Sequence, residues 1–87
     1  MSTKTKDTAR QVIAIKKAFI ALHTLGYKIL LRDYGCALGN VDLIAKQGGE
    51  FVFIGINNVP SVAVARFYMN RYGIEDVKYR LESFDVK

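Results

Sequence analysis

The chain has one cysteine, one histidine and no apolar run near the length of a membrane span, and each shortage excludes a class of protein. A single cysteine, Cys36, leaves no intramolecular disulfide framework and no cysteine-based zinc site. It suits a reducing, cytoplasmic setting. A single histidine, His23, gives no material for a His-pair or His-Cys metal centre. No apolar stretch approaches the roughly 20 residues of a spanning helix, so no membrane association is expected. The polar start, Met1 to Thr8, has no apolar segment behind it and does not read as a secretory signal. P-loop, dinucleotide-binding glycine and nucleophile-elbow motifs are all missing. A Cys36 nucleophile would need His23 as its base, a weak arrangement at a helix end.

What is present describes one small folded domain. The 87 residues are 51% hydrophobic and 24% charged, which is the balance of a chain that buries a core. Thirteen Lys/Arg against eight Asp/Glu give a net charge of +5. That excess favours anionic partners, DNA among them, and it also serves solubility.

Periodicity gives the order of elements. Residues 1–7 read as a flexible basic tail and 8–87 as a single domain, with Asp7 as a helix cap. Val12, Ile15, Phe19, Leu22 and Leu25 recur at helical spacing and predict a helix over Thr8 to Leu25, stopped by Gly26. Tyr27 to Asp33 predicts a first strand, and Tyr34 to Gly39 a loop. In Asn40 to Gln47, Val41, Leu43 and Ala45 alternate against Asp42, Ile44 and Lys46 as a second strand. Gly48-Gly49 predicts a hairpin into Glu50 to Asn57, whose apolar stretch suits a central strand covered on both faces. After a break at Asn58, Pro60 and Ser61, the stripe Val62, Ala65, Met69 and Tyr72 predicts a second helix. Val77 to Val86 predicts a last strand, parallel to the third across a helical crossover. The expectation is α/β: a mixed four-stranded sheet in α-β-β-β-α-β order.

Several runs carry a family resemblance: Gly26-Tyr27-Lys28-Ile29-Leu30, Gly39-Asn40-Val41-Asp42-Leu43-Ile44-Ala45, Phe53-Ile54-Gly55-Ile56-Asn57 and Ser83-Phe84-Asp85-Val86. They resemble the YraN-type predicted endonucleases, small relatives of Holliday junction resolvases in the PD-(D/E)xK nuclease superfamily. The family reads G-Y-x-I-L, then G-E-I-D-L-I-A, then V-F-V-E-V-K, and ends near R-F-D-V. The resemblance covers about residues 8 to 87 and implies a minimal restriction-endonuclease-like core. It also implies a site in which an Asp and the Glu of E-V-K hold a divalent metal while the Lys positions the attacking water.

This chain departs from that pattern where the chemistry lies. Asp42 keeps the metal-binding Asp, but the Glu of G-E-I-D is Asn40, the Glu of E-V-K is Gly55 and its Lys is Asn57. The family's helix Glu falls at Ile15. Mg²⁺ seeks carboxylate oxygen, and one Asp between neutral amides would hold it weakly. Glu50, five residues up the strand from Gly55, is about 17 Å away at 3.3 Å per residue and cannot substitute. Asp33 and Asp42 lie near the adjoining ends of two antiparallel strands and form the candidate for a migrated metal pair. No catalytic residue and no cofactor are therefore expected, with Mg²⁺ only if that pair forms.

Two surfaces remain candidates. Lys6, Arg10 and Lys17 share a stripe of the first helix with Lys16 at its flank, a face able to track phosphates or simply to be solvated. Tyr34, Tyr68, Tyr72 and Tyr79 are candidates to stack bases or to edge the core. Ile13 and Ile20, seven residues apart on the side away from the core stripe, suggest an interface for a second copy or another protein. Three functions stay open: a catalytically degenerate nuclease-like domain that binds nucleic acid or a partner, an active Mg²⁺-dependent DNA endonuclease using Asp42 and Asp33, and a structural homodimer.

Overall fold

The computed structural model describes the backbone of residues 2–86 and the side chains of residues 12–86. The elements are α1 (Ser2–Thr24), β1 (Lys28–Cys36), β2 (Gly39–Gln47), β3 (Glu50–Ile56), α2 (Val62–Arg71) and β4 (Tyr79–Phe84). The strands form one sheet in the order β1-β2-β3-β4. β1/β2 and β2/β3 are antiparallel, and β3/β4 is parallel across α2. The mixed α-β-β-β-α-β arrangement expected from periodicity is the one found.

Both helices end in the same device. Beyond α1, the Tyr27 N–H donates to the Leu22 carbonyl at 3.0 Å and the Gly26 N–H to His23 at 3.0 Å. Beyond α2, Ile74 donates to Met69 at 2.8 Å and Gly73 to Asn70 at 3.2 Å. This Schellman pattern needs a left-handed residue after the helix, and Gly26 and Gly73 supply it at φ +93° and +64°. At the start of α2, the Ser61 hydroxyl accepts the Ala63 N–H at 3.0 Å.

β3 explains why the sheet needs a helix on each side. Phe51 and Phe53 pack with Val41, Ile44, Val64, Ala65 and Met69 on the α2 face. Val52 and Ile54 pack with Leu43, Ala45, Ala18 and Leu22 on the α1 face. Successive side chains of a strand alternate faces, so an apolar run buries both sets only between two layers.

Five expectations need correction. Tyr34 to Gly39 is not a loop: β1 continues to Cys36, because Tyr34 and Cys36 pack against the α2-side core. Asp33 turns this strand rather than ending it, at φ +59°, a left-handed conformation Asp tolerates better than most residues. In β2, Val41 packs with Ile44 rather than with Leu43, so the alternation breaks at Asp42. On α1 the buried face centres on Ala18 and Leu22, whereas Val12 and Leu25 are exposed. Finally, α1 runs from Ser2 rather than from Thr8, which places the Asp7 backbone inside the helix rather than at its cap.

Candidate functional site

A cleft of about 650 Å³ opens at one end of the sheet. It is lined by Asn40 and Asp42 from β2, Gly55 from β3, Asn57 and Asn58 from the following turn, and Ser61 at the head of α2. Asn40, Asp42, Gly55 and Asn57, which the family resemblance singled out, meet there, whereas Ile15, on α1, lines a separate small cavity. The four lie up to 17 residues apart, and antiparallel pairing of β2 with β3 brings them together.

Their present contacts are structural. The half-buried Asp42 carboxylate accepts the Ile56 N–H through Oδ2 at 2.7 Å. Asn57 has a left-handed backbone, φ +64°. Its N–H donates to the Phe84 carbonyl at 2.9 Å, and its Oδ1 accepts the Val86 N–H at 2.8 Å. Asn57 thus ties the end of β3 to the end of β4, the opposite of a side chain reaching freely into a cleft. Gly55 is buried, and a Cβ there would run into the backbone carbonyl and the side-chain oxygen of Asn58.

These residues do not fit the divalent metal implied by the resemblance. Asp42 is the one ionisable side chain among the described lining residues. No cluster of three or more His, Cys, Asp or Glu able to hold a metal occurs among the described residues. The space a carboxylate side chain at position 55 would leave through is filled by Asn58. Asp33 does not join the cleft. It falls opposite Asp42 between the pairs Arg32↔Leu43 and Tyr34↔Val41, yet it lines a separate small cavity with Val12, Ile15, Lys16 and Arg32. The candidate pair Asp42 and Asp33 is therefore not assembled in one cavity, because the backbone turns at Asp33.

The remaining candidates scatter. Lys16 and Lys17 are exposed on α1. The side chains of Lys6 and Arg10 lie outside the described residues. Ile13 and Ile20 are 56% and 66% exposed, which places them on the outer side of α1 as their spacing predicted. Tyr68 forms ring contacts with Tyr34 at 5.1 Å and Tyr72 at 4.8 Å, and Phe53 meets both Tyr68 and Tyr79. Tyr34, Tyr68 and Tyr79 thus edge the α2-side core, leaving Tyr72 exposed. Burial, then the neighbouring Tyr72, pushes the Tyr68 phenol above its usual pKa.

A polar network at the hairpin end of the sheet was not foreseen. Arg80 donates to Glu50 at 2.6 Å, and also to Glu82, Gln47 and the Tyr27 hydroxyl. The Tyr27 hydroxyl donates in turn to Glu82 at 3.0 Å. The hydrogen bonds that Arg80 donates to Glu82, Tyr27 and Glu50 hold the guanidinium firmly protonated. The sequence signal was faint: Arg80 and Glu82, two apart, share a strand face.

The class these features define is a small α/β protein with a cleft beside the ends of its central strands. No family model matches the chain. It is 32% identical over 89 aligned residues to a UPF0102 protein of Caldicellulosiruptor saccharolyticus, an alignment covering 82% of this chain and 75% of that protein. It is 55% identical over 31 residues to a UPF0102 protein of Moorella thermoacetica, covering 36% of this chain and 26% of that protein. A UPF0102 protein of Lachnoclostridium phytofermentans is 45% identical over a segment of the same length. The chain belongs to the UPF0102 family, the YraN family. Its fold is consistent with a small nuclease-like core.

Proposed function

We propose that this chain is a catalytically degenerate nuclease-like domain that works without metal as a nucleic-acid-binding or interaction module. The observation that carries this reading is the composition of the cleft. Asp42 stands there among Asn40, Gly55 and Asn57, with Asn58 folded against Gly55. Phosphodiester hydrolysis by this route needs a metal to stabilise phosphoryl charge and activate water. A hard divalent cation is usually held by one or two carboxylates with substrate phosphate. Here one carboxylate is available and it is engaged with the Ile56 N–H.

Nucleic acid is the partner the charge favours. The chain carries +5 overall, and Lys16 and Lys17 stand exposed on one helix. Contacts of lysine with phosphate position a protein on DNA without reading its sequence, and they weaken steeply with salt. No helix among the described residues is long and apolar enough to cross a membrane.

The test is amide NMR during titration with Mg²⁺ and Mn²⁺, then with a short branched DNA at low and moderate salt. The expected result is no saturable metal response and salt-sensitive DNA shifts along α1. Saturable metal shifts at Asp42, accompanied by metal-dependent cleavage of the branched DNA, would replace this reading with an active endonuclease. Silence towards both ligands would remove nucleic acid and leave a protein partner at Ile13 and Ile20.

A further inference from the structure

We infer that the cleft positions now work as a clasp, in which the turn after β3 occupies the space that any side chain at position 55 would need. This rests on the degenerate reading of the cleft and extends it, because it assigns the altered residues a present role.

The first support is steric. A Cβ at Gly55 would collide with Asn58 at its backbone oxygen and its Oδ1, and would lie 3.1 Å from its carbonyl carbon. Two of these atoms are backbone, so no rotamer change can clear them. Gly55 itself cannot retreat easily, since it is buried and paired with Ser83 in the parallel β3/β4 ladder.

The second support is that the turn is tied down on every side. Asn57 holds Phe84 and Val86 through its N–H and its Oδ1. Pro60 is buried, and Ser61 caps α2. Asp42 holds the N–H of Ile56, one residue before the turn. Moving Asn58 away from Gly55 therefore strains contacts to β2, β4 and α2 together. Asp42, Gly55, Asn57 and Asn58 join four elements of the fold at one point.

The consequence is that restoring the family's letters does not restore its site. It also makes Gly55 necessary as glycine. In a strand interior, alanine ordinarily stabilises relative to glycine. At position 55 the sign reverses. Gly35 provides the control: it lies in β1, its φ is not left-handed, and a Cβ there meets nothing within 4 Å.

The experiment compares Gly55→Ala and Gly35→Ala by thermal melting of the full chain. Gly55→Ala is expected to lower Tm by about 4–24 °C, the range for overpacking in a domain this small. Gly35→Ala is expected to leave Tm unchanged or raise it, by up to about 8 °C. Complete unfolding of Gly55→Ala beside a folded Gly35→Ala supports the clasp equally. An unchanged or raised Tm for Gly55→Ala overturns it. The double variant Gly55→Glu/Asn57→Lys is titrated with Mn²⁺ alone and is expected to show no saturable binding. A folded double variant that gains such binding also overturns the clasp. The two readings fail separately: Mn²⁺ binding by the unaltered chain defeats degeneracy, whereas an inert unaltered chain that tolerates alanine at 55 defeats only the clasp.

Discussion

Replacing Asp42 separates a carboxylate that serves the fold from one that serves a metal. Its Oδ2 accepts the Ile56 N–H at 2.7 Å, and the residue is half-buried. A hydrogen bond to a charged group contributes about 1.5–3 kcal/mol, including the cost of leaving the donor unpaired. Asp42→Ala removes the acceptor and is expected to lower Tm by about 6–24 °C, at 4–8 °C per kcal/mol for a domain this size. Asp42→Asn keeps an oxygen in place and loses the charge assistance of this bond, about 1 kcal/mol. The metal arm has a different signature. A ligand at its own Kd stabilises by about 0.4 kcal/mol and at one hundred times its Kd by about 2.7 kcal/mol. Without a site, Mg²⁺ at about 10 mM should raise Tm by less than about 3 °C, whereas a site of about 0.1 mM affinity would raise it by more than about 10 °C. Circular-dichroism melts of the unaltered chain and both variants, with and without Mg²⁺ or Mn²⁺, read all of this. A large metal-induced rise that vanishes in Asp42→Asn would refute the reasoning.

Three further predictions address other parts of the molecule. Arg80→Ala leaves Glu50 and Glu82 facing the gap on one sheet face; with all three side chains about one-third exposed, the expected cost is about 1–2 kcal/mol, read as a drop in urea midpoint, and no change would show the network to be solvated. The Tyr68 phenol titrates above its ordinary value of 10.0 in the folded chain, so the unfolded chain ionises first. Its contribution is complete below pH 10 and is lost as pH rises through the folded value; melts across this range should show a steeper fall for the unaltered chain than for Tyr68→Phe. Ile20→Glu changes a residue 66% exposed, so the monomer should keep its Tm within about 3 °C. Light scattering on the same samples reads self-association, and a larger mass that falls on this substitution would identify the Ile13/Ile20 face as an interface between copies.

Much of the fold was legible because its signals are local. The Gly26 and Gly73 stops, the Gly48-Gly49 hairpin and the Ser61 cap each depend on a few consecutive residues. The doubly apolar stretch of β3 required a helix on each side, and the structure supplies both. Where the reading failed, distant contacts had overruled local pattern. Tyr34 and Cys36 extend β1 through a glycine-containing stretch because the α2-side core accepts them. Val41 leaves the alternation of Leu43 and Ala45 at the point where β1, opposite Asp42, turns at Asp33.

The cleft divides along the same line. Its residue types were fixed by the chain: one carboxylate, two amides and a glycine where the family resemblance implies charged side chains. Their convergence followed once β2 and β3 paired. The occupation of the Gly55 space by Asn58 did not follow, because it depends on where the turn to α2 settles against β4. Asn57 reads as a lost lysine in the sequence and as the tie to Val86 in the structure. Residue type and spacing alone determined the order of the elements, and the family resemblance marked the positions at which this chain lacks charged side chains. Only the tertiary structure decided that Asp33 and Asp42 face different cavities and that backbone closes over Gly55. Both depend on backbone conformation at single residues, set by the packing of elements distant in sequence.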